Sequence, residues 1–204
     1  MKVLFVTPTY FPKTSGNATT VHRIATNLES LGVDVCVVSI EHGTSKLAKV
    51  VKNKRVDLIH AFHARRAGVT ALAVANEIGV PLVVTLTGTD VNHDLYNEQR
   101  RASVQCVLQA SAAMFAFHQS IADRVHQKVP GLSGKLHVVQ QGVWFPHIRR
   151  WEVRSEWNFS KDDFIFFLPA GVRPVKQPLW AVAPLAGLRR RHPHIKLVIA
   201  GMPL

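Results

Sequence analysis

Residues 57–90, DLIHAFHARRAGVTALAVANEIGVPLVVTLTGTD, decide the fold, because they contain two candidate strands with a candidate helix between them. Asp57–Ala61 and Pro81–Leu86 are apolar runs of strand length. Ala67–Ile78 has the length and spacing of a helix, and Gly79 is a typical residue to end it. Continuous apolar strands alternating with helices are typical of parallel β-α-β units, so the stretch predicts an α/β fold.

The same alternation continues on both sides of this stretch. The other predicted strands are Lys2–Thr7, Asp34–Ile40, Ala113–Phe117 and Lys135–Val139. The other predicted helices are Thr19–Leu31, Thr44–Lys52, Asn97–Ala110 and Ser120–Lys128, the last of them capped by Ser120. We therefore expect residues 1–143 to form a doubly wound, Rossmann-like domain around a parallel sheet of about six strands.

A second β-α-β pattern begins after residue 163. Phe164–Leu168 and Lys196–Ala200 have the composition of strands, and an apolar helix is predicted between them. A sheet of two strands cannot bury a core of its own. We therefore expect residues 164–204 to be an incomplete second Rossmann-like domain, and residues 144–163 to be the crossover between the domains.

The chain is strongly basic, with 25 Lys and Arg against 13 Asp and Glu and a formal net charge of +12. This balance favours polyanionic partners, an anionic membrane surface or phosphorylated substrates, and a peripheral contact with an anionic membrane stays open. Nucleic acid is not a predicted partner, because no zinc-finger spacing or RNA-binding aromatic signature is present. No apolar run approaches the ~18 residues that cross a bilayer, and we expect a cytoplasmic protein.

Three common motifs are absent, and each absence excludes a class of enzyme. The first strand is not followed by Gly-x-Gly-x-x-Gly, which argues against a dinucleotide dehydrogenase. No Gly-x-x-x-x-Gly-Lys-Ser/Thr marks a P-loop enzyme. No Gly-x-Ser-x-Gly marks a serine hydrolase.

The loops after the predicted strands are unusually polar, and ligands of doubly wound sheets bind beyond the carboxyl ends of the strands. The candidate ligand-facing residues in these loops are Gly16, Asn17, His63, Arg65, Thr87, Gly88, Thr89, Asp90, Gln141 and Gly142. We expect the imidazole of His63 to face the cleft together with the adjacent guanidiniums. The threonines and the carboxylate of residues 87–90 suit sugar hydroxyls. Asn17 could instead only cap a helix, His63 could be structural, and Asp90 could only form an Asx-turn.

A basic turn follows the first strand of the second predicted domain. It contains Gly171, Arg173 and Lys176, just past the strand's carboxyl end and before a helix. Folds of this kind hold anionic ligands at that position. The turn therefore predicts a phosphate-binding site.

In order and spacing, these motifs resemble those of the two-domain GT-B glycosyltransferases of family 4, and most of all the glycosyltransferase 1 domain-containing subgroup. His63–Arg66 together with Thr87–Asp90 is also similar to bacterial selenosugar synthases, which share the fold. The resemblance implies that residues 1–143 are the acceptor-side GT-B N-terminal domain and that the second domain binds a nucleotide sugar such as a UDP- or GDP-sugar. The acceptor would be a small molecule or a glycan, and the transfer would retain anomeric configuration.

The resemblance also implies roles for individual residues. His63 and Asp90 would be catalytic, with His63 near the transferred sugar. Gly171, Arg173 and Lys176 would contact the donor diphosphate, without a metal or another cofactor. The family's Glu-x7-Glu loop would fall beyond Leu204, so we expect a truncated and inactive chain. A selenosugar synthase and a non-catalytic binding module remain the alternatives.

Overall fold

The apolar runs before residue 144 form a single parallel sheet. Its strands are β1 (Lys2–Thr7), β2 (Asp34–Ser39), β3 (Leu58–Phe62), β4 (Leu82–Thr85), β5 (Ala113–Ala116) and β6 (Leu136–Val138). They lie in the order β2-β1-β3-β4-β5-β6, and every neighbouring pair is parallel. The structure is a computed structural model and describes residues 1–12, 15–41, 43–53, 55–143 and 152–201. The predicted doubly wound, Rossmann-like α/β fold is confirmed.

Helices cover both faces of this sheet. They are α1 (Gly16–Ser30), α2 (Ser45–Asn53), α3 (Gly68–Ile78), α4 (Thr89–Asn92), α5 (Glu98–Ala110) and α6 (Gln119–Lys128). Side chains alternate between the faces of a strand, so β1 supplies Val3 and Phe5 to one apolar cluster and Leu4 and Val6 to the other. The first cluster packs under α1, and the second packs under α2, α3, α5 and α6.

The strand order reverses between β1 and β3. The connection from β1 runs to β2 on one side, and the connection from β3 runs to β4 on the other. The two loops that follow β1 and β3 therefore separate, and a crevice opens between them at the carboxyl ends of the strands. This topological switch point is where open α/β sheets bind ligands.

The start of α1 and the cap of α6 differ from the sequence prediction, whereas α2, α3 and α5 begin within one residue of it. α1 begins at Gly16, three residues before the predicted Thr19, because the Ser15 hydroxyl accepts the Ala18 N–H and caps the helix there. The predicted capping of α6 by Ser120 is wrong. His118 is the cap, and its Nδ1 accepts the Ser120 N–H at 3.1 Å.

The chain divides into two compact units, Met1–Trp144 and Phe145–Leu204. In the second, β7 (Phe164–Leu168) and β8 (Ile195–Ile199) pair in parallel, and the helices are α7 (Val153–Glu156) and α8 (Val182–Arg189). Aromatic side chains of this unit are exposed, with Phe164 at 63%, Phe167 at 62% and Trp180 at 75%. The predicted domain boundaries stay a prediction, and residues 144–151 of the predicted crossover lie outside the described residues.

None of the helices in the described ranges is both long enough and apolar enough to cross a membrane.

Candidate functional site

An open depression of about 570 Å³ lies at the switch point of the first unit. Its lining comprises Pro8 after β1, Ile40 after β2, Arg65 and Arg66 after β3, and Val69, Thr70 and Ser103 from the neighbouring helices. The volume is within the range of small-molecule sites. We call this depression the switch-point crevice.

His63 forms the turn that carries the β3 chain into α3. Its backbone is left-handed, with φ of 84°, which is uncommon for a residue with a side chain. Its Nδ1 accepts the backbone N–H groups of Arg65 at 3.2 Å and Arg66 at 3.1 Å. The ring is only 3% exposed. The expectation that the imidazole faces the cleft is therefore wrong, because the ring is used to close the turn.

The contacts of His63 determine which ring nitrogen carries the proton. Nδ1 receives two N–H donors and must be unprotonated, so the neutral ring carries its proton on Nε2. Nε2 then donates to the Thr89 hydroxyl oxygen, 3.0 Å away. The hydroxyl hydrogen of Thr89 is consequently free to point elsewhere, and Thr89 itself is exposed. Thr89, not the imidazole, presents a polar group to solvent here.

Burial favours this neutral state of His63. Removal from water lowers the pKa of the imidazole, and the positive charges of Arg66 and Arg65 lower it further. The opposing negative charges belong to Asp90 and Asp94. The ring is therefore a fixed hydrogen-bond donor and acceptor near neutral pH.

Asp90 joins the loop after β3 to the loop after β4. Its side chain is fully buried and accepts the backbone N–H of Ala64 at 2.9 Å. It also accepts the N–H groups of Thr87 at 3.2 Å and Gly88 at 2.9 Å, and that of Val91 at 3.1 Å. The residues before Asp90 thus supply most of its donors, which is not the pattern of an Asx-turn. The catalytic role of Asp90 stays a prediction, and its contacts are those of a group that positions the loops.

Asp94 and Arg100 extend the cluster, and sequence reasoning did not select them as site residues. The Asp94 carboxylate is 4% exposed, lies 3.8 Å from His63 Nε2 and pairs with Arg100 Nη1 at 3.1 Å. The available signal was that Asp94 ends the same polar segment as Thr87–Asp90. In the part of the chain that the structure describes, no three His, Cys, Asp or Glu side chains are grouped to hold a metal ion.

Gly16 and Asn17 lie in the first turn of α1, not in a loop before it. Gly16 is exposed, and no atom lies within 4 Å of the position that a Cβ would occupy. The Asn17 amide donates to Thr7 Oγ1 at 2.6 Å and therefore ties α1 to the end of β1. Its Oδ1 is buried and has no hydrogen-bond partner among the described residues. Gly16 remains accessible, whereas Asn17 points inward.

Gln141 and Gly142 lie against α1. Gln141 Nε2 donates to Thr20 Oγ1 at 3.1 Å, and the Arg23 guanidinium donates to the Gly142 carbonyl. The segment after β6 thus returns to the face of the sheet that α1 covers. Of the ten predicted ligand-facing residues of the first unit, Arg65 lines the crevice and the other nine do not.

The basic turn of the second unit follows β7, as predicted. Arg173 precedes the short 3₁₀ helix Pro174–Lys176, and Lys176 is exposed. The Arg173 Nε is buried without a hydrogen-bond partner among the described residues. Gly201 packs against the same turn so closely that a Cβ there would lie 2.5 Å from the Gly171 nitrogen. The turn therefore combines exposed and incompletely paired positive groups with a tightly packed backbone.

The amino-acid sequence is similar to those of known proteins. The family model described as Glycosyltransferase Family 4 matches residues 42–143, half of the 204 residues. Glycosyltransferase 1 domain-containing protein 1 of Xenopus tropicalis is 26% identical over 98% of this chain. The chain spans 59% of the length of that relative.

Solved structures share the fold at low sequence identity. Anabaena HepE, solved in complex with UDP and glucose, superposes with a TM-score of 0.71 at 19% identity and covers 100% of this chain and 62% of its own. The UDP-GlcNAc 2-epimerase of Methanocaldococcus jannaschii superposes with a TM-score of 0.60 at 12% identity, over 100% of this chain and 74% of its own. Fold similarity alone therefore does not identify the class of enzyme. The match of residues 42–143 to the family model does identify the family. The chain belongs to glycosyltransferase family 4.

Proposed function

We propose that this chain is part of an enzyme that transfers a sugar from a nucleotide-sugar donor to an acceptor, with retention of anomeric configuration. The family supports the reaction class, and HepE was solved with UDP and glucose on a similar fold. The observation that carries the proposal is the switch-point crevice, lined by Arg65 and Arg66, at the edge where doubly wound sheets bind ligands. His63, two residues before Arg65, holds the Thr89 hydroxyl.

In this proposal the first unit holds the acceptor. Thr89 and Arg65 contact it directly, because they are the polar predicted groups that reach the surface at or beside the crevice. His63 and Asp90 contribute to transfer by fixing the Thr89 hydroxyl and the two loops. Gly16 allows close approach of a substrate to the start of α1, and Gln141 and Gly142 form the rim on that side.

The second unit holds the donor diphosphate through Gly171, Arg173 and Lys176. Negative charge develops on the leaving nucleoside diphosphate as its bond to the sugar breaks, and fixed positive charges stabilise it there. The exposed Lys176 and the unpaired Nε of Arg173 are suited to this role. No metal ion is needed for charge neutralisation when two cationic side chains supply it.

We further propose that the 204-residue chain by itself does not turn over a nucleotide sugar. The described part of the second unit has a sheet of only two strands, and Phe164 and Phe167 on β7 remain exposed. Phosphate contacts alone cannot orient a sugar for transfer. Nucleotide release from UDP- or GDP-sugars by the purified chain would contradict this proposal.

The main proposal is tested in a protein that contains this chain and has the full length of the Xenopus tropicalis relative. Lys176→Ala should lower kcat/KM on the order of 10²-fold or more, because a positive charge is lost at the leaving group. Lys161→Ala removes an exposed lysine elsewhere in the same unit and is the matched control. Equal activity of both variants would exclude a leaving-group role for Lys176, and inversion of the anomeric carbon in the product would exclude retention.

His63→Ala separates the two substrates. This variant should impair transfer, because the Thr89 hydroxyl loses the imidazole N–H that fixes it. It should leave nucleotide binding nearly intact. Titration of UDP beside the transfer assay checks both parts. Loss of nucleotide binding in this variant would mean that the nucleotide sugar binds at His63. The proposal that the first unit holds the acceptor would then be wrong.

The same assay separates the alternatives. Transfer to a selenium nucleophile in preference to hydroxyl acceptors would identify a selenosugar synthase. Acceptor binding without turnover of any nucleotide sugar would identify a binding module.

A further inference from the structure

Arg65 and Arg66 are two adjacent cations that the described protein does not neutralise. Neither guanidinium forms an ion pair or a hydrogen bond with a carboxylate within the described ranges. Arg65 is half-buried and Arg66 is exposed, and both line the switch-point crevice. Their unbalanced field reaches His63, where both charges add to the effect of burial in lowering the pKa of the imidazole. The crevice is therefore electropositive.

The backbone under these two arginines is held rigidly. The N–H groups of Arg65 and Arg66 both donate to His63 Nδ1, and the N–H of Ala64 donates to Asp90. Each of the three residues that follow His63 is thus fixed by a buried side chain. A cationic site built on such a loop loses little entropy when a ligand binds.

The rest of the lining also fits one class of ligand. Thr70 brings a hydroxyl group to the crevice, and Pro8, Ile40 and Val69 provide apolar walls. Ser103 also lines it, but its hydroxyl donates to the Arg100 carbonyl at 2.7 Å. No Asp or Glu is in the lining. The crevice thus offers two cations and the Thr70 hydroxyl for an anionic group, and apolar surface for the carbon skeleton attached to it.

We propose that the switch-point crevice binds a phosphate monoester through Arg65 and Arg66. Two guanidiniums match a doubly charged group, and their planar forks bind phosphate oxygens in pairs. The inference rests on the proposed function in one respect: if the first unit holds the acceptor, the bound phosphate monoester is that acceptor. The binding itself is independent of sugar transfer.

The experiment titrates the ¹⁵N-labelled 204-residue chain with glycerol 3-phosphate and follows the backbone amides by NMR. Saturable shifts are expected at Ile40, Arg65, Arg66 and Thr70. Arg65→Gln and Arg66→Gln should each weaken binding about tenfold, because each removes a charge-assisted hydrogen bond. Glutamine keeps the backbone N–H that donates to His63, and an unchanged spectrum elsewhere shows that the fold is kept. Arg190→Gln, an exposed arginine of the second unit, should have no effect.

Three further ligands separate the explanations. Glycerol has no charge and should produce no shift. Vesicles of phosphatidylcholine with phosphatidic acid, against phosphatidylcholine alone, show whether a lipid headgroup supplies the monoester, and either source supports the proposal. A tighter response of the same amides to UDP than to glycerol 3-phosphate would assign the crevice to the donor and overturn it.

The absence of saturable shifts at these amides, or equal binding by the double variant Arg65→Gln/Arg66→Gln, would also overturn the inference. Neither result would affect the proposed function, whose test is the loss of transfer in Lys176→Ala. Conversely, if the protein of the relative's full length binds glycerol 3-phosphate but transfers no sugar, the anion site is retained and the proposed function is lost.

Discussion

At the scale of single residues, two histidines on the same strand and loop have different tasks. His63 organises the loop beyond β3, whereas His60 lies inside β3 and is buried. His60 Nε2 is 2.7 Å from Thr85 Oγ1, and its ring stacks on Phe62 with centroids 4.5 Å apart. Burial lowers the pKa of His60 to about 3. His60 is therefore a neutral part of the core under ordinary conditions.

This burial predicts a pH dependence of stability. The unfolded chain binds a proton at His60 below about pH 6.5, and the folded protein does so only near pH 3. The contribution of His60 to the free energy of unfolding should be complete above about pH 6.5 and should decrease as the pH falls toward 3, by up to about 1.4 kcal/mol per pH unit. Urea unfolding at a series of pH values measures it.

His60→Gln is the control for that experiment, since it keeps a polar group beside Thr85 and cannot titrate. The difference in unfolding free energy between the wild type and this variant should shrink as the pH is lowered. A difference that stays constant across the range would show that His60 does not resist protonation.

Asp90 gives a second prediction at this scale. Asp90→Ala should lower the free energy of unfolding on the order of 3–5 kcal/mol, because the buried N–H of Ala64 and the partly buried N–H groups of Thr87 and Gly88 lose their acceptor. Asp123→Ala removes an exposed carboxylate that accepts one side-chain hydrogen bond, and should change it by no more than about 0.5 kcal/mol. Equal costs in denaturant titrations would argue that Asp90 does not hold the loops together.

At the scale of elements, glycine has opposite effects at two positions of the second unit. Gly201 follows β8, and a Cβ there would lie 2.5 Å from the Gly171 nitrogen and 2.6 Å from the Ala170 carbonyl. Gly187 lies within α8, and a Cβ there would meet nothing within 4 Å. The ends of the two strands can therefore approach only because residue 201 has no side chain.

Alanine substitutions test this contrast. Gly201→Ala should destabilise the β7–β8 pair on the order of 1–3 kcal/mol, since backbone atoms must move apart. Gly187→Ala should stabilise α8 by about 0.5–1 kcal/mol, because glycine is a poor helix former. Hydrogen exchange at the β7 and β8 amides measures the first change. Unaltered exchange in Gly201→Ala would mean that the strand ends are not in close contact.

At the scale of the whole molecule, the two units differ in how well their apolar faces are covered. The six-stranded sheet has helices on both faces, and its buried side chains form two clusters. The two-stranded sheet of the second unit exposes Phe164 and Phe167, and Trp180 in the same unit is also exposed. We therefore expect the second unit to be less stable than the first.

Residues 164–201 should be the least protected part of the chain in hydrogen exchange, because their strands have few covering neighbours. The exposed aromatic side chains should also make the chain associate as its concentration rises. Exchange mass spectrometry and sedimentation at several concentrations check the two statements. Uniform protection across both units in a stable monomer would contradict them.

The sequence by itself determined the strands, the longer helices and the class of fold, but not the short helices α4 and α7. β1 and β7 lie where the apolar runs predicted them, and Gly79 ends α3 in a left-handed conformation. These features depend on local patterns, since a continuous apolar run buries both faces of a strand and glycine tolerates positive φ. The sequence also selected the polar loops, because parallel strands bring their carboxyl ends to one edge.

Only the tertiary structure decided what the side chains of those loops contact. His63 was expected to face the cleft, but two backbone N–H groups at residues 65 and 66 turn its ring inward. Asp94 became part of the cluster through its proximity to His63, a contact between residues 31 positions apart. Such contacts depend on the relative placement of the loops after β3 and β4, which the pairing of the strands sets. Periodicity along the chain reports which faces are buried, and it contains no information on the direction in which a polar side chain in a loop points.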